Sequence, residues 1–124
     1  MILEAIDFEL DSSPRSSCPV FLLGDLNSPV DEAAYKTIAS RMYDLRTTCT
    51  ATFGHYNTFT GFDGRKADLS RIDHIFGTTK EGWEGGLYAV EENHYEDEKW
   101  LSDHRLVIAD VNVGKGLKPK KHEA

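Results

Sequence analysis

The spacing of apolar positions changes several times along the chain, and each change marks an element. Over residues 2–10 the apolar side chains at 2, 3, 6 and 10 keep near-helical spacing, with Glu4, Asp7 and Glu9 mostly off that stripe. This predicts the last turns of a helix beginning at or before Met1, then a Ser-rich loop over 11–17. Residues 20–23 form an unbroken apolar run closed by Gly24, the pattern of a strand buried on both faces. Ser28 is placed to cap a helix with Pro29 at its first position and Asp31 and Glu32 in its first turn, running to about Arg41.

Beyond that helix the signal weakens and then returns. Residues 42–45 suit a short extended piece, and 47–54 are Thr-rich and read as irregular. Residues 57–62 alternate weakly around Phe59 and Phe62, Asp63-Gly64 marks a turn, and 65–69 form a polar connection. Strands are predicted over 71–76, 87–90 and 106–113, the last with apolar residues at 107, 109, 111 and 113. There is no repeat, low-complexity segment or internal boundary. The pattern predicts an α+β chain with several strands and one clear helix.

Composition adds limits. With 124 residues the chain suits one core rather than two. No apolar run approaches the roughly 18 residues that cross a bilayer, and the first ten lack the basic start of a secretory signal. Cys18 and Cys49 give no disulfide framework, which suits two reduced thiols in a soluble, intracellular protein. A net charge of −7 argues against holding nucleic acid by bulk electrostatics. The basic cluster Lys115, Lys118, Lys120 and Lys121 lies in a Gly/Pro-punctuated stretch, so 114–124 is expected to be a disordered tail.

Three short motifs carry candidate chemistry. In Gly24-Asp25-Leu26-Asn27 a carboxylate and an amide two residues apart share one side of an extended chain. Asp25 can orient or deprotonate a water and Asn27 can donate to a phosphate oxygen; alternatively the pair closes an Asx turn. In Ser102-Asp103-His104, Asp103 is a hard oxygen ligand for Mg²⁺ or Mn²⁺, and His104 can serve a phosphoryl or leaving-group oxygen. A turn Asp beside a surface His is the plain alternative. Asp73, within Arg71-Ile72-Asp73-His74-Ile75-Phe76, needs a partner if buried. His104 fits if their strands adjoin, whereas Arg71 or Arg105 would make an ordinary ion pair. His74 alternates away from Asp73. The five histidines lack zinc-ligand spacing, and no Gly-x-Ser-x-Gly elbow is present. Tyr56, Phe59 and Phe62 read as core or rim aromatics, with stacking on a base or sugar as the alternative.

Over about residues 20–113 these motifs, in this order, resemble the last three signature motifs of the endonuclease/exonuclease/phosphatase superfamily. Asn57-Thr58-Phe59-Thr60-Gly61-Phe62 is similar to the segment that often precedes its Ile-Asp motif. The resemblance implies a four-layer α/β/β/α sandwich of the deoxyribonuclease-like type. This chain would be half of it, mainly one mixed or antiparallel sheet with a flanking helix: residues 1–113 as the C-terminal half-domain. It also implies hydrolysis of a phosphodiester or phosphomonoester by in-line water attack with Mg²⁺ or Mn²⁺. Asp25 would activate the water, Asn27 hold the phosphate, Asp103 lie at the metal, and His104, oriented by Asp73, stabilise the transition state. The family's first half supplies an Asn, a metal-binding Glu and a His or Tyr, and neither Glu4 nor Glu9 stands at a strand end to replace them. Nucleic acid, inositol phosphate or lipid headgroup are the implied substrate classes. As half a sandwich the chain would expose an apolar sheet face, to be covered by a partner. A catalytically inactive half-domain acting as a binding or interaction module is the alternative, and a plain α+β domain with structural Asp/His pairs a third.

Overall fold

The computed structural model describes residues 3–5, 19–65, 68–78, 82–96 and 99–114. Residues 3–5 are helical; the rest of the helix predicted over 2–10, the loop over 11–17, Cys18 and the basic tail from Lys115 lie outside the described residues.

The architecture is α+β and dominated by sheet. Strand β1 (Phe21–Asp25) pairs antiparallel with β4 (Asp73–Gly77), whose other edge takes β2 (Tyr43–Asp44). A second sheet has β3 (Ala51–Gly54) parallel to β5 (Trp83–Val90), which is antiparallel to β8 (Val107–Val113). β6 (His94–Tyr95) and β7 (Lys99–Trp100) form a small antiparallel pair. The helices are α1 (Ala33–Ala39) and α2 (Leu45–Thr48). No helix among the described residues is long and apolar enough to cross a membrane.

Alternation along β4 divides the packing. Phe76 is fully buried with Ile38 and Met42, against Leu22, Leu26 and Tyr35, so α1 covers that face of the first sheet. Phe21 and Ile75, on the other face, adjoin the cluster of Leu45, Cys49, Trp83, Tyr88 and Val90. Val107, Ala109 and Val111 of β8 pack on that cluster, as their period-2 pattern requires. Cys49 is a buried free thiol, its pKa pushed up by burial and then by the charges of Asp44 and Asp110.

Three local expectations are corrected. The run closing at Gly24 is not buried on both faces, since Leu23 is 65% exposed. The helix begins at Ala33 rather than Pro29, with Glu32 at its N-cap. Ser28 is buried because its carbonyl accepts from His74 Nε2 (2.8 Å) and its Oγ accepts from the Tyr35 N–H (3.0 Å), which holds 28–31 as a turn against β4. Finally, the Thr-rich stretch is ordered: it forms α2 and β3. Gly54 ends β3 at φ +81°, where a Cβ would stand 2.1 Å from the Val90 carbonyl oxygen.

An apolar surface remains. The register Phe53↔Ala89↔Ile108 puts these side chains on one face, where Phe53 is 61% and Ile108 36% exposed. Leu106 and Leu23 are exposed as well and together line a groove beside β4.

Candidate active site

The β1–β4 register sets Asp25 directly opposite Asp73, so the two carboxylates leave the sheet on the same face. Past the strand end the chain turns sharply. Asp25 Oδ1 accepts from the Asn27 N–H (2.8 Å) and Asn27 takes a left-handed φ of +49°, which is the Asx-turn geometry. The structural alternative for this motif is therefore realised, and it leaves Asp25 Oδ2 free of the turn. Asn27 is exposed at the corner. His74 points to the other face, buried against Tyr35 and Phe76, and burial lowers its pKa below the ordinary histidine value.

His104 closes the group. Its Nδ1 lies 2.7 Å from Asp73 Oδ2 and its Nε2 3.7 Å from Asp25 Oδ2, with the imidazole resting on the edge of the Phe59 ring. Ligand atoms of Asp25, Asp73 and His104 all lie within 4.8 Å of one another. Burial pulls the imidazole pKa down, but the hydrogen bond and charge of Asp73, with the charges of Asp103 and Asp25, outweigh it and hold the value above the ordinary one. Asp103 is thus close enough to act on the ring by charge, although it is not among the three clustered side chains.

The ordinary ion pairs weighed for Asp73 do not form. Arg71 is paired with Asp44 (2.7 Å), and Arg105 donates to the Asn57 carbonyl (3.0 Å). The expected contact of adjoining strands is also replaced, because His104 precedes β8 and is bridged instead to Phe59.

What fixes this geometry is the segment 57–62, together with Asn93. Thr58 is fully buried, and its Oγ1 accepts from the N–H groups of both Ile72 and Asp73 (3.0 Å each). The Thr58 carbonyl accepts from the Arg105 N–H (2.6 Å). Thr60, also fully buried, donates its N–H to the Asp103 carbonyl (2.9 Å). Asn93 Nδ2 donates to Thr60 Oγ1 (2.7 Å) and to the Ser102 carbonyl (2.9 Å). Two threonines at i and i+2 thus tie the start of β4 to the loop bearing Asp103 and His104. Sequence reasoning gave none of the three a role, although Thr58 and Thr60 lie in the segment likened to the one before the Ile-Asp motif; the Thr-x-Thr spacing was the available signal.

Thr58→Val keeps the shape and removes the acceptor, leaving the buried Ile72 N–H and the part-buried Asp73 N–H unpaired, at a total cost of about 1–3 kcal/mol. Urea unfolding is expected to show that loss in the midpoint, while Thr58→Ser stays near the parent. Equal midpoints for Val and Ser would contradict the assignment.

The sequence profile described as "Endonuclease/Exonuclease/phosphatase family" matches residues 2–104. Among solved structures, the endonuclease/exonuclease/phosphatase from Bacteroides vulgatus is 25% identical, with a TM-score of 0.74 over 90% of this chain and 42% of that one. A functionally unknown conserved protein from Enterococcus faecalis is 25% identical, with a TM-score of 0.68 and the same two coverages, 90% and 42%. The mannosyl-6-phosphatase of Bacteroides thetaiotaomicron shares the fold at 24% identity and a TM-score of 0.73, over 90% of this chain and 43% of its own. No curated protein matches the chain. The chain spans 42–43% of the length of these solved structures.

Proposed function

The chain belongs to the endonuclease/exonuclease/phosphatase family, and on that footing we propose that it supplies one part of a divalent-metal-dependent phosphoesterase. The observation that carries this reading is the imidazole of His104 held between Asp73 at 2.7 Å and Asp25 at 3.7 Å. Asp73 Oδ2 accepts a hydrogen bond from Nδ1–H, which fixes the tautomer and stabilises the imidazolium. Nε2–H faces Asp25 Oδ2 at 3.7 Å, too far for a hydrogen bond to form there, so it can donate to a phosphoryl oxygen as charge develops. Asp25 Oδ2, free of the Asx turn, orients or deprotonates the attacking water. The Asn27 amide, exposed at the corner, donates to a second phosphate oxygen.

The donor set fits a hard cation. Three carboxylates, of Asp25, Asp73 and Asp103, act on one imidazole, and that surplus of negative charge is what a divalent ion offsets. Both His104 nitrogens face carboxylates, so oxygens are the ligands, as Mg²⁺ or Mn²⁺ prefers. Asp103 would hold the ion on this chain. When bound, such an ion polarises a phosphoryl oxygen and stabilises the charge of in-line displacement. Further ligands would come from the part of the domain that the chain does not span. The buried, free thiol of Cys49 suits an intracellular setting.

The exposed apolar residues Leu23, Phe53, Leu106 and Ile108 favour a second reading. In it the chain is an inactive half-domain whose sheet face binds a partner. Hydrolysis of bis(p-nitrophenyl) phosphate and p-nitrophenyl phosphate by the natural gene product separates the two. Activity dependent on added Mg²⁺ and abolished by chelator is expected, with Asp103→Ala raising the half-saturating Mg²⁺ concentration by about tenfold or more. Absence of metal-dependent hydrolysis of either ester would leave the interaction reading in place.

A further inference from the structure

We propose that Glu92 is a positioning residue for the hydrolysis, its carboxylate fixing the main chain on both sides of His104. The inference rests on the phosphoesterase reading and adds a charged residue to its support.

Glu92 stands two residues past the end of β5, at the head of the loop that carries Asn93. Its two oxygens serve different neighbours. Oε1 accepts from the N–H groups of Asn93 (3.1 Å) and His94 (3.2 Å), and Arg105 Nη2 lies 3.8 Å from it. Oε2 faces His55 Nε2 at 3.0 Å, just past the end of β3. Burial pushes the Glu92 carboxyl pKa up. The hydrogen bond from His94, the charge of His55, the hydrogen bond from Asn93 and the charge of Arg105 outweigh it and hold the value below the ordinary one. The group is therefore ionised at neutral pH.

Two routes run from this carboxylate to His104. The first passes through the loop. Holding the N–H groups of Asn93 and His94 sets the backbone of Asn93, whose Nδ2 donates to Thr60 Oγ1 and to the Ser102 carbonyl. Ser102 Oγ in turn accepts from the His104 N–H (3.1 Å). Glu91 adds a parallel tie, its N–H donating to the Leu106 carbonyl (2.9 Å).

The second route passes through Arg105, the residue after His104. Its side chain is 11% exposed, Nη1 is held by the Asn57 carbonyl, and Nε is buried with no hydrogen-bond partner among the described residues. A guanidinium so enclosed needs a counter-charge, and the Glu92 carboxylate faces it. The Arg105 N–H donates to the Thr58 carbonyl, and Thr58 Oγ1 accepts from the Asp73 N–H. Both members of the Asp73–His104 pair are thus reached from one carboxylate. The pair with His55 is open to water, with side chains 40% and 44% exposed, and adds little to folding. What Glu92 contributes is the place of the loop.

Steady-state hydrolysis of the p-nitrophenyl esters by the natural gene product in Mg²⁺ tests this. Rates are read at a temperature where circular dichroism shows each variant folded, so lost stability alone leaves kcat unchanged. Glu92→Ala is expected to lower kcat about ten- to hundredfold, the scale of a small misplacement of a reacting group, with KM within about threefold. Glu92→Gln keeps an oxygen for the two N–H groups and loses only the charge, so it should recover most of that loss, to within about two- to fivefold of the parent. Spectra of ¹⁵N-histidine-labelled protein give a readout independent of turnover. The Nδ1–H signal of His104, assigned by its loss in His104→Asn, should broaden in Glu92→Ala and persist in Glu92→Gln.

A Glu92→Ala enzyme with the parental kcat overturns the inference and leaves the phosphoesterase reading standing. So does a fall in kcat with the His104 signal unchanged, since Glu92 would then act somewhere other than on the imidazole. If Glu92→Ala does not fold, Glu92→Gln decides alone, and a parental kcat in it overturns the inference. Absence of metal-dependent hydrolysis in the parent removes the phosphoesterase reading and this inference with it.

Discussion

Asp73→Asn is expected to lower kcat for phosphate-ester hydrolysis by about 10²–10⁴, with KM changed less than about threefold. The substitution preserves size and the contact to His104 Nδ1, which stands at 2.7 Å. What it removes is the charge, and only one of the two terminal atoms can still accept. An amide can turn its NH₂ to Nδ1, which then accepts, and the proton moves to Nε2; the imidazolium loses its counter-charge in either case. Asp73 acts through His104 and is a positioning residue, so ground-state binding should change little. The pH profile carries a separate signature. Asp73 is the principal group raising the His104 pKa, so the protonated ring persists above the ordinary histidine value. Activity that needs the imidazolium falls as pH rises through that raised pKa. In Asp73→Asn the alkaline limb should move to lower pH. A variant with a parental rate and an unmoved limb would remove Asp73 and His104 from the reaction.

The parts of this arrangement differ in how far the chain announces them. The apolar alternation of β8 and the run of β1 are local signals, and the three motifs at their ends were readable from residue type alone. Pairing of Asp73 with His104 was foreseeable because a half-buried carboxylate needs a partner. β3 was not foreseeable. Ala51, Thr52, Phe53 and Gly54 have no strong alternation, and the strand exists through parallel pairing to β5, a contact more than thirty residues away. β5 was underestimated for a related reason. Only 87–90 read as strand, because Gly85 and Gly86 carry no side chains to alternate, yet the strand runs through them with a register shift between Gly85 and Leu87. Gly85 is needed for packing, since a Cβ there would stand 2.7 Å from Cys49 Sγ. The late start of α1 has the same origin: Ser28 carries a capping side chain, but His74, distant in sequence, claims its carbonyl. Local chemistry was visible and non-local hydrogen bonding was not. The clamp of Thr58, Thr60 and Asn93 belongs to the second kind, which is why the catalytic candidates could be named and their supports could not.

Asp44→Ala is expected to cost about 3–5 kcal/mol, the largest stability loss predicted for a single side chain here. Arg71 and Asp44 are each 3% exposed at the side chain, and Arg71 Nη2 lies 2.7 and 2.8 Å from the two carboxylate oxygens. Asp44 Oδ2 also accepts from the Tyr35 hydroxyl (2.6 Å), and Oδ1 from the Arg46 N–H at the start of α2 (3.0 Å). Removing the carboxylate strands a buried guanidinium, opens the cap of α2 and frees the tyrosine. Replacing both members with apolar residues, as in Arg71→Met with Asp44→Leu, should cost less than Asp44→Ala alone, because no charge is then left unpaired. The pair also has an alkaline signature. Burial, then the hydrogen bond and charge of Asp44, push the Tyr35 pKa up to about 12 from 10.0. A raised pKa stabilises the protonated form, so this contribution is complete below about pH 10 and is lost as pH rises through about 12. Tyr35→Phe should flatten that part of the stability curve relative to the parent. Arg71 lies two residues before Asp73, so loosening the pair also frees the backbone that presents the carboxylate paired with His104. Chemical denaturation in which Asp44→Ala unfolds within about 1 kcal/mol of the parent, or less readily spared by the double replacement than expected, would mean the guanidinium finds water or another acceptor and that the pair is not what holds this corner.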